Sequence, residues 1–418
     1  MKNISVGDAV RDILITGETI GKIADAGTLK PTSSDTEVMD CDAMAAVPGF
    51  INMHTHAAMT LLRGFGEDIT FRPWLSRIWE LEACEDAEFV YWGTKLACLE
   101  MIKTGTTCFN DHYWFPESAA RAASEMGLRA FISYVILDNG NPMIAPRLKD
   151  ECMALEEISH SWPDTIRLSA AFHSVYTVSQ DMILWCSEFA RRHSLNLHIH
   201  LSETTGEVSD CISAHGYTPV GYLDDLGVLG PEVVAAHTLH LTRRDIEILA
   251  ERGVSCVHNI NSNLKLSSGY KFPYTELSKA GANICIGTDG CASSNNLDIL
   301  EAMKTSAIVQ KAWRGDPSVM TIDELMRMSS ASGAKALGIN AGVIAEGALA
   351  DISIVNTDSS FFLSNAPFLA NFIYSAHSDC IDSVICNGRF LMKNRVVPGE
   401  AEILRGARSQ LSKINRKF

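Results

Sequence analysis

A chain of 418 residues exceeds the ~250–300 at which one hydrophobic core usually stops growing, so a large domain with a smaller companion is expected. Its 46% apolar and 20% charged residues are those of an ordinary globular protein. A net charge of −15 argues against a nucleic-acid or anionic-membrane partner, since either would need clustered Lys and Arg.

The opening "MKNISVGDAVRDILITG" has no continuous apolar segment of the signal-peptide kind. No run approaches the ~18 uninterrupted apolar residues of a membrane span. The 12 cysteines include no CxxC pair and lie in apolar stretches such as "LACLE" and "NICIG". Reduced, mostly buried thiols in a cytoplasmic enzyme are the expectation.

Residues 1–46 hold short strand-like runs, "DILITG" and "GKIADAG", separated by the polar "LKPTSSDTE". From Val47 the rhythm changes. Short β-rich apolar runs alternate with segments of helical period, as in βα units around a parallel sheet. Eight such runs follow in order: "VPGFINMHTH", "TTCFNDHY", "RAFISYVIL", "RLSAAFHSV", "LNLHIHLSE", "VVAAHTLHL", "VSCVHNINS" and "NICIGTDG". Helix candidates such as "EFVYWGTKLACLEMIKTG", "QDMILWCSEFARRH" and "RRDIEILAERG" lie between them. Eight strand–helix units over residues 47–349 predict an α/β fold, a (β/α)₈ TIM-like barrel. The chain then returns to short strands, "GALADISIVN" and "CIDSVICNGRFLMKN". Residues 350–418 are therefore expected to join residues 1–46 in a small β-sandwich domain.

Metal-capable side chains gather at the C-terminal ends of these runs: His54 and His56, Asp111 and His112, His173, His200, His237, His258 and Asp289. Barrel enzymes build their sites at that end, and 13 histidines strewn at random would not collect there. His54 and His56, two apart on a strand, share a face and suit one cation. His200 closes the fifth run and Asp289 the eighth, completing an N/O donor set for a single divalent ion, Zn²⁺ with Fe²⁺ as the other option. His198 shares the face of His200 but lies deeper, as a packed or supporting histidine. His237 is either a fifth ligand or a base on the metal-bound water. Such an ion lowers the pKa of bound water towards ~7. A two-metal site would want a bridging lysine in the fourth run, which ends "AAFHSV" without one. Glu203, three residues past His200, is placed to donate a proton to a substrate atom beside the attacked carbon. HExxH, GxSxG, P-loop and complete GxGxxG motifs are absent, as is the HxE…PCxxC pattern of cysteine-ligated deaminases.

Taken together, "PGFINMHTHAAMTLLRG", "HIHLSET", "AAHTLHL", "HNINSNLKL", "GTDGCASSNNLD" and "GALADISIVN" resemble the amidohydrolase superfamily, and most closely its 5′-methylthioadenosine/S-adenosylhomocysteine deaminase group. The resemblance runs from the mid-forties to the early 390s. It implies metal binding by His54, His56, His200 and Asp289. His237 then orients the attacking water, Asp289 takes its proton, and Glu203 protonates the purine ring nitrogen. Ammonia leaves, and a 6-amino purine becomes its 6-oxo form. The resemblance further implies that Glu82 binds ribose hydroxyls and His173 binds substrate, while Trp74 serves either the nucleoside or the fold.

Arg147 matches one of two arginines that hold a homocysteine carboxylate in some members. The position of the other is filled by Tyr134, which shifts the expectation towards 5′-methylthioadenosine, adenosine or another neutral nucleoside. The competing readings are removal of chloride or an amine from another nitrogen heterocycle, such as a triazine, and a non-catalytic barrel scaffold. Members of the superfamily are often homo-oligomeric. Asp111 and His112 receive no role at this point.

Overall fold

The computed structural model describes residues 1–31 and 33–414. Eight parallel strands stand side by side in chain order: Phe50–Thr55, Thr106–Asp111, Arg129–Ile136, Ile166–Phe172, Leu197–Leu201, Val233–His237, Ser255–His258 and Asn283–Ile286. Seven fall inside the runs read from the sequence, and the fourth begins one residue before its run, at Ile166. Closure comes from the last strand's exit, where the amides of Thr288 and Asp289 donate to the His54 carbonyl at 3.1 and 2.9 Å. Nearly every strand residue is buried, as expected of a parallel sheet covered on both faces.

The helices between strands start and stop where the chain supplies caps. Asp86 accepts from the Phe89 amide ahead of Ala87–Lys103, and Thr242 with Asp245 forms a capping box ahead of Arg243–Arg252. The lower barrel is apolar: Ile51, Met53, Cys108, Phe131 and Val257 pack with Leu337 of the helix Ala331–Leu337, which plugs the end remote from the site. In the first strand the pairing register slips between Asn52 and Thr55. Met53 thereby stays in the apolar plug while its neighbour His54 turns to the polar centre, which strict alternation would not allow.

Both termini build a second, mixed sheet of seven hydrogen-bonded strands. Its order is Arg389–Met392, Ile381–Cys386, Ile352–Asn356, Met44–Pro48, Ile4–Val6, Ala9–Thr16, Thr19–Asp25. It has its own core of Ile4, Ile13, Ile20, Ile352, Ile354 and Ile385. A buried cluster ties it to the start of the third barrel strand. There the Arg129 Nε lies 3.2 Å from Asp351 Oδ2, its Nη2 donates to Asn387 Oδ1 at 3.1 Å, and the Asn387 amide donates to Asp351 Oδ1 at 2.7 Å.

The C-terminal segment also carries a helix the sequence reading did not anticipate, Glu400–Ile414. It packs on Ala87–Lys103, with the Trp92 ring seated over Gly406 and Lys103 paired to Glu400 at 2.6 Å. All 12 cysteines are unpaired and all but Cys84 are buried. Among the described residues no helix is long and apolar enough to cross a membrane.

Candidate active site

The C-terminal mouth of the barrel opens into a cavity lined by strand-end residues and by the helix Phe71–Glu82. Three imidazoles and a carboxylate converge on its floor. His56 Nε2 and His200 Nε2 face one another at 3.4 Å, and Asp289 Oδ1 lies 3.1 Å from His56 Nε2 and 3.4 Å from His54 Nε2. The far side of each ring is already engaged. His56 Nδ1 donates to the His112 carbonyl at 2.5 Å, His200 Nδ1 donates to the His173 carbonyl at 2.9 Å, and His54 Nδ1 is 2.9 Å from His198 Nε2. An imidazole that donates through Nδ1 keeps its Nε2 lone pair for another partner. The Nε2 of His54 is buried and has no hydrogen-bond partner.

Donor atoms of His54, His56 and His200, and of His54, His237 and Asp289, lie within 4.8 Å of one another. These nitrogens and carboxylate oxygen, aimed inward at one point, fit a divalent cation of the zinc or ferrous type. Burial lowers the pKa of His54 to about 4. For His56 the same burial is outweighed by the hydrogen bond and charge of Asp289, which lift it to about 9. In return, the two imidazoles hold Asp289 well below the ordinary carboxylate range despite its burial.

The backbone is bent to present these groups. His237 and Asp289 leave their strands at φ of 73° and 64°, a left-handed conformation uncommon for residues with a Cβ. Asp289 is held there by Ser262 Oγ, which donates to Oδ2 at 2.6 Å, and by the Gly290 amide on Oδ1 at 2.8 Å. The glycines of "GTDG" are needed for close approach. A Cβ on Gly287 would stand 2.9 Å from the His54 backbone nitrogen, and one on Gly290 would stand 3.0 Å from His56 Cβ.

Above the floor, His237 Nδ1 pairs with the buried Asn263 Oδ1 at 2.8 Å, leaving Nε2 directed at Glu203 Oε2, 3.8 Å away. Glu203 also accepts from Ser268 Oγ at 3.2 Å. Burial pushes the Glu203 carboxyl up, and nearby Asp289 adds to the shift. His237 opposes that shift, and the net upward direction is the one a proton donor needs.

Glu82 closes the helix Phe71–Glu82 and faces the same cavity, with Oε1 buried and unpartnered. Burial raises its pKa, opposed by the Tyr113 hydroxyl and His56. That hydroxyl itself donates to both oxygens of Glu85, at 2.9 and 3.0 Å. His173 lines the cavity with Nδ1 tied to Thr177 Oγ1 at 2.9 Å, and the Trp74 indole borders it while donating to the Ala292 carbonyl at 3.3 Å.

Of the residues without an expected role, His112 lines the cavity. Asp111 instead points away, accepting from the Ala57 amide at 2.8 Å.

Arg147 is the one expected site residue that the structure sets apart. Its side chain is 65% exposed and borders a neighbouring groove, with Trp114 standing between groove and cavity. There Glu151 takes up both Arg147, at 3.4 Å, and the Tyr134 hydroxyl, at 2.6 Å. The helix Ala145–Ser159 carries Arg147 and Glu151 one turn apart, so the intrahelical pair forms. Asn263, Ser262, Ser268 and Glu207 were not singled out in the sequence, although all four lie in quoted motifs or within four residues of one.

With this geometry, the comparison with known proteins is decisive: the profile of the amidohydrolase family matches residues 45–391. The chain belongs to the amidohydrolase family. Within that family it is 42% identical to a 5′-deoxyadenosine deaminase of Methanoregula boonei, over 99% of this chain and 95% of the relative. It is equally 42% identical to a 5-methylthioadenosine/S-adenosylhomocysteine deaminase of Archaeoglobus fulgidus, over 92% and 90%. Among solved amidohydrolase-like structures, an adenosine deaminase from Xanthomonas campestris with bound zinc superposes with a TM-score of 0.88 at 32% identity, covering 97% of this chain and 94% of that one. An atrazine chlorohydrolase from Arthrobacter aurescens, complexed with zinc, reaches 0.89 at 22% identity over 96% and 95%; at that identity the likeness concerns the fold.

Proposed function

We propose that the chain is a metal-dependent hydrolytic deaminase that converts the 6-amino group of an adenine nucleoside to 6-oxo and releases ammonia. One observation carries the reading: a convergent three-imidazole, one-carboxylate floor faces a protonatable Glu203 across a cavity that also presents the unpartnered Oε1 of Glu82. The deaminase names of relatives at 42% identity support it.

His54, His56, His200 and Asp289 would hold one divalent cation, most naturally zinc given the donor set and the zinc of the Xanthomonas relative. Such an ion supplies a hydroxide-like nucleophile at neutral pH by lowering the pKa of water. His237, its tautomer set by Asn263, orients that water with Nε2. Asp289 accepts the proton the water gives up, and Glu203 delivers one to the purine ring nitrogen beside C6. When the C6–N bond breaks, the proton held by Asp289 leaves with the amine as ammonia, and the proton shed by the C6 hydroxyl returns to Glu203. Glu82 accepts from the ribose hydroxyls, and His173 borders the base.

The 5′ end decides among nucleosides. Arg147 and Tyr134 both pair with Glu151, so a homocysteine carboxylate would meet an anion rather than a clamp. We infer a preference for neutral 5′ groups: 5′-deoxyadenosine, 5′-methylthioadenosine or adenosine ahead of S-adenosylhomocysteine. The test is ammonia release from zinc-loaded protein offered these four nucleosides and a chlorotriazine. Turnover of the three neutral nucleosides, lowered roughly 10²- to 10⁴-fold but still measurable in Glu203→Gln, is expected. Turnover of the triazine alone would overturn the reading.

A further inference from the structure

We propose that Glu207 is the positioning residue that fixes the proton donor Glu203 over the reacting ring; the inference rests on the reading of Glu203 as that donor. Glu203 sits on a three-residue link, 202–204, between the strand Leu197–Leu201 and the helix Thr205–His215. A carboxylate on so short an irregular link, outside strand and helix, has no regular backbone ladder to fix its direction. Here Ser202 is driven to φ 53°, a left-handed backbone that is strained for a residue with a Cβ and persists only if its surroundings impose it.

Glu207 supplies the constraint. Its Oε1 accepts from the Ser202 amide at 2.8 Å and its Oε2 from the Glu203 amide at 2.7 Å, all of it buried. Thr204 caps the helix by accepting from the Glu207 amide at 3.0 Å. In an ordinary capping box the third helical residue reaches back to the amide of the cap residue itself. This glutamate passes over Thr204 and takes the two amides before it, one of which belongs to the acid.

Two hydrogen bonds to one buried carboxylate fix the 201–202 and 202–203 peptides, the two consecutive planes that lead into the Cα of Glu203. That side chain then needs only Ser268, at 3.2 Å, to fix its outer end near His237. Glu207 does not border the cavity, so it acts through Glu203 and touches no substrate.

The experiment compares zinc-loaded wild type, Glu203→Gln, Glu207→Gln and the double variant in nucleoside deamination, with thermal midpoints recorded for all four. Glu207→Gln places an amide NH₂ against one of the two backbone donors and breaks that bond. Because misplacement by about 1 Å can cost on the order of a hundredfold, kcat should fall roughly 10- to 100-fold, with KM within about twofold. In the Glu203→Gln background the same change should cost almost nothing further, because a positioning residue has nothing left to position. A cap that only supported the fold would lower the midpoint, leave kcat per folded molecule intact and combine multiplicatively with Glu203→Gln.

Glu207→Asp guards against failure to fold. It keeps the negative charge at the helix start but cannot span both amides, and should show the same loss in kcat at a near-native midpoint. An active wild type with a disabled Glu203→Gln and unimpaired Glu207 variants overturns this inference alone. A fully active Glu203→Gln overturns the proposed function and the inference with it.

Discussion

Glu82 offers the most direct test of how this cavity recognises a nucleoside. Its Oε1 is buried without a protein partner, while the adjacent Tyr113 hydroxyl is committed to Glu85. A buried acceptor left unpaired is costly, so a substrate hydroxyl that satisfies it gains a charge-assisted bond of about 1.5–3 kcal/mol. Glu82→Leu should therefore lower kcat/KM for a ribonucleoside by roughly 10- to 150-fold. Glu82→Gln, which keeps a neutral acceptor, should lose less. The control is the substrate: for the matching 2′,3′-dideoxynucleoside the wild type and both variants should agree within about twofold.

Because burial pushes the Glu82 carboxyl up to about 7, the ionised acceptor is lost as pH falls through that value. The preference for ribose over dideoxyribose should shrink below about pH 7 in the wild type and be flat in Glu82→Leu. Ammonia release under kcat/KM conditions measures all of this. Equal losses on ribo and dideoxy substrates would refute the argument, since the carboxylate would then be serving something other than hydroxyls.

Three further outcomes follow from the same structure. Removing the metal with a chelator should abolish turnover and lower the melting midpoint. An ion held at a thousandfold excess over its Kd stabilises by about 4 kcal/mol, which with ~2.1 cal/mol/K per residue over 418 residues is roughly 5 °C by calorimetry. Asn263→Leu frees Nδ1 of His237 and lets the ring take the wrong tautomer; kcat should fall by on the order of 10²-fold or more with KM little changed, in steady-state assays. Arg129→Met leaves Asp351 buried without its cation and should cost about 3–5 kcal/mol in denaturant unfolding, with kcat per folded molecule unchanged because the pair lies at the opposite end of the barrel.

Much of this architecture is legible in the chain because parallel barrels impose short, fully buried strands, and a run such as "VVAAH" has few other uses. The site was legible for a related reason: a histidine at the end of an apolar strand needs a partner, and several such ends meet at one mouth. What escaped the sequence depends on contacts between distant segments. The slip at Asn52–Thr55 that sends Met53 and His54 into the same interior leaves no trace in the alternation of side chains.

Asn263 and Glu207 read as ordinary polar residues until the fold sets one against His237 and the other under Glu203. Arg147 has a recognisable neighbourhood in sequence, yet Glu151 one turn later draws it to an exposed groove. The C-terminal helix was missed because its buried stripe, Ile403, Ala407 and Gln410, is short, and its last member is polar. Buried against Ala87–Lys103, that stripe needs little apolar area of its own.

The cavity's charge also limits what the 5′ end of a substrate can carry. Glu82, Glu203 and Asp289 border it, and none of the described residues lining it is Lys or Arg. A divalent ion on the floor would balance Asp289 and serve the base end; nothing comparable awaits at the other end, where Arg147 is already paired. A 5′-phosphate would enter without the charge-assisted bonds that normally replace its hydration. Missing two such bonds, at about 1.5–3 kcal/mol each, should lower kcat/KM for adenosine 5′-monophosphate at least roughly 100-fold relative to adenosine. Glu151→Gln, by releasing Arg147 and Tyr134 while leaving the cavity intact, should recover part of that loss for the phosphate and for S-adenosylhomocysteine but not alter adenosine. If the nucleotide matches adenosine in the wild type, the 5′ end lies elsewhere and the groove beside Trp114 has no part in selecting substrates.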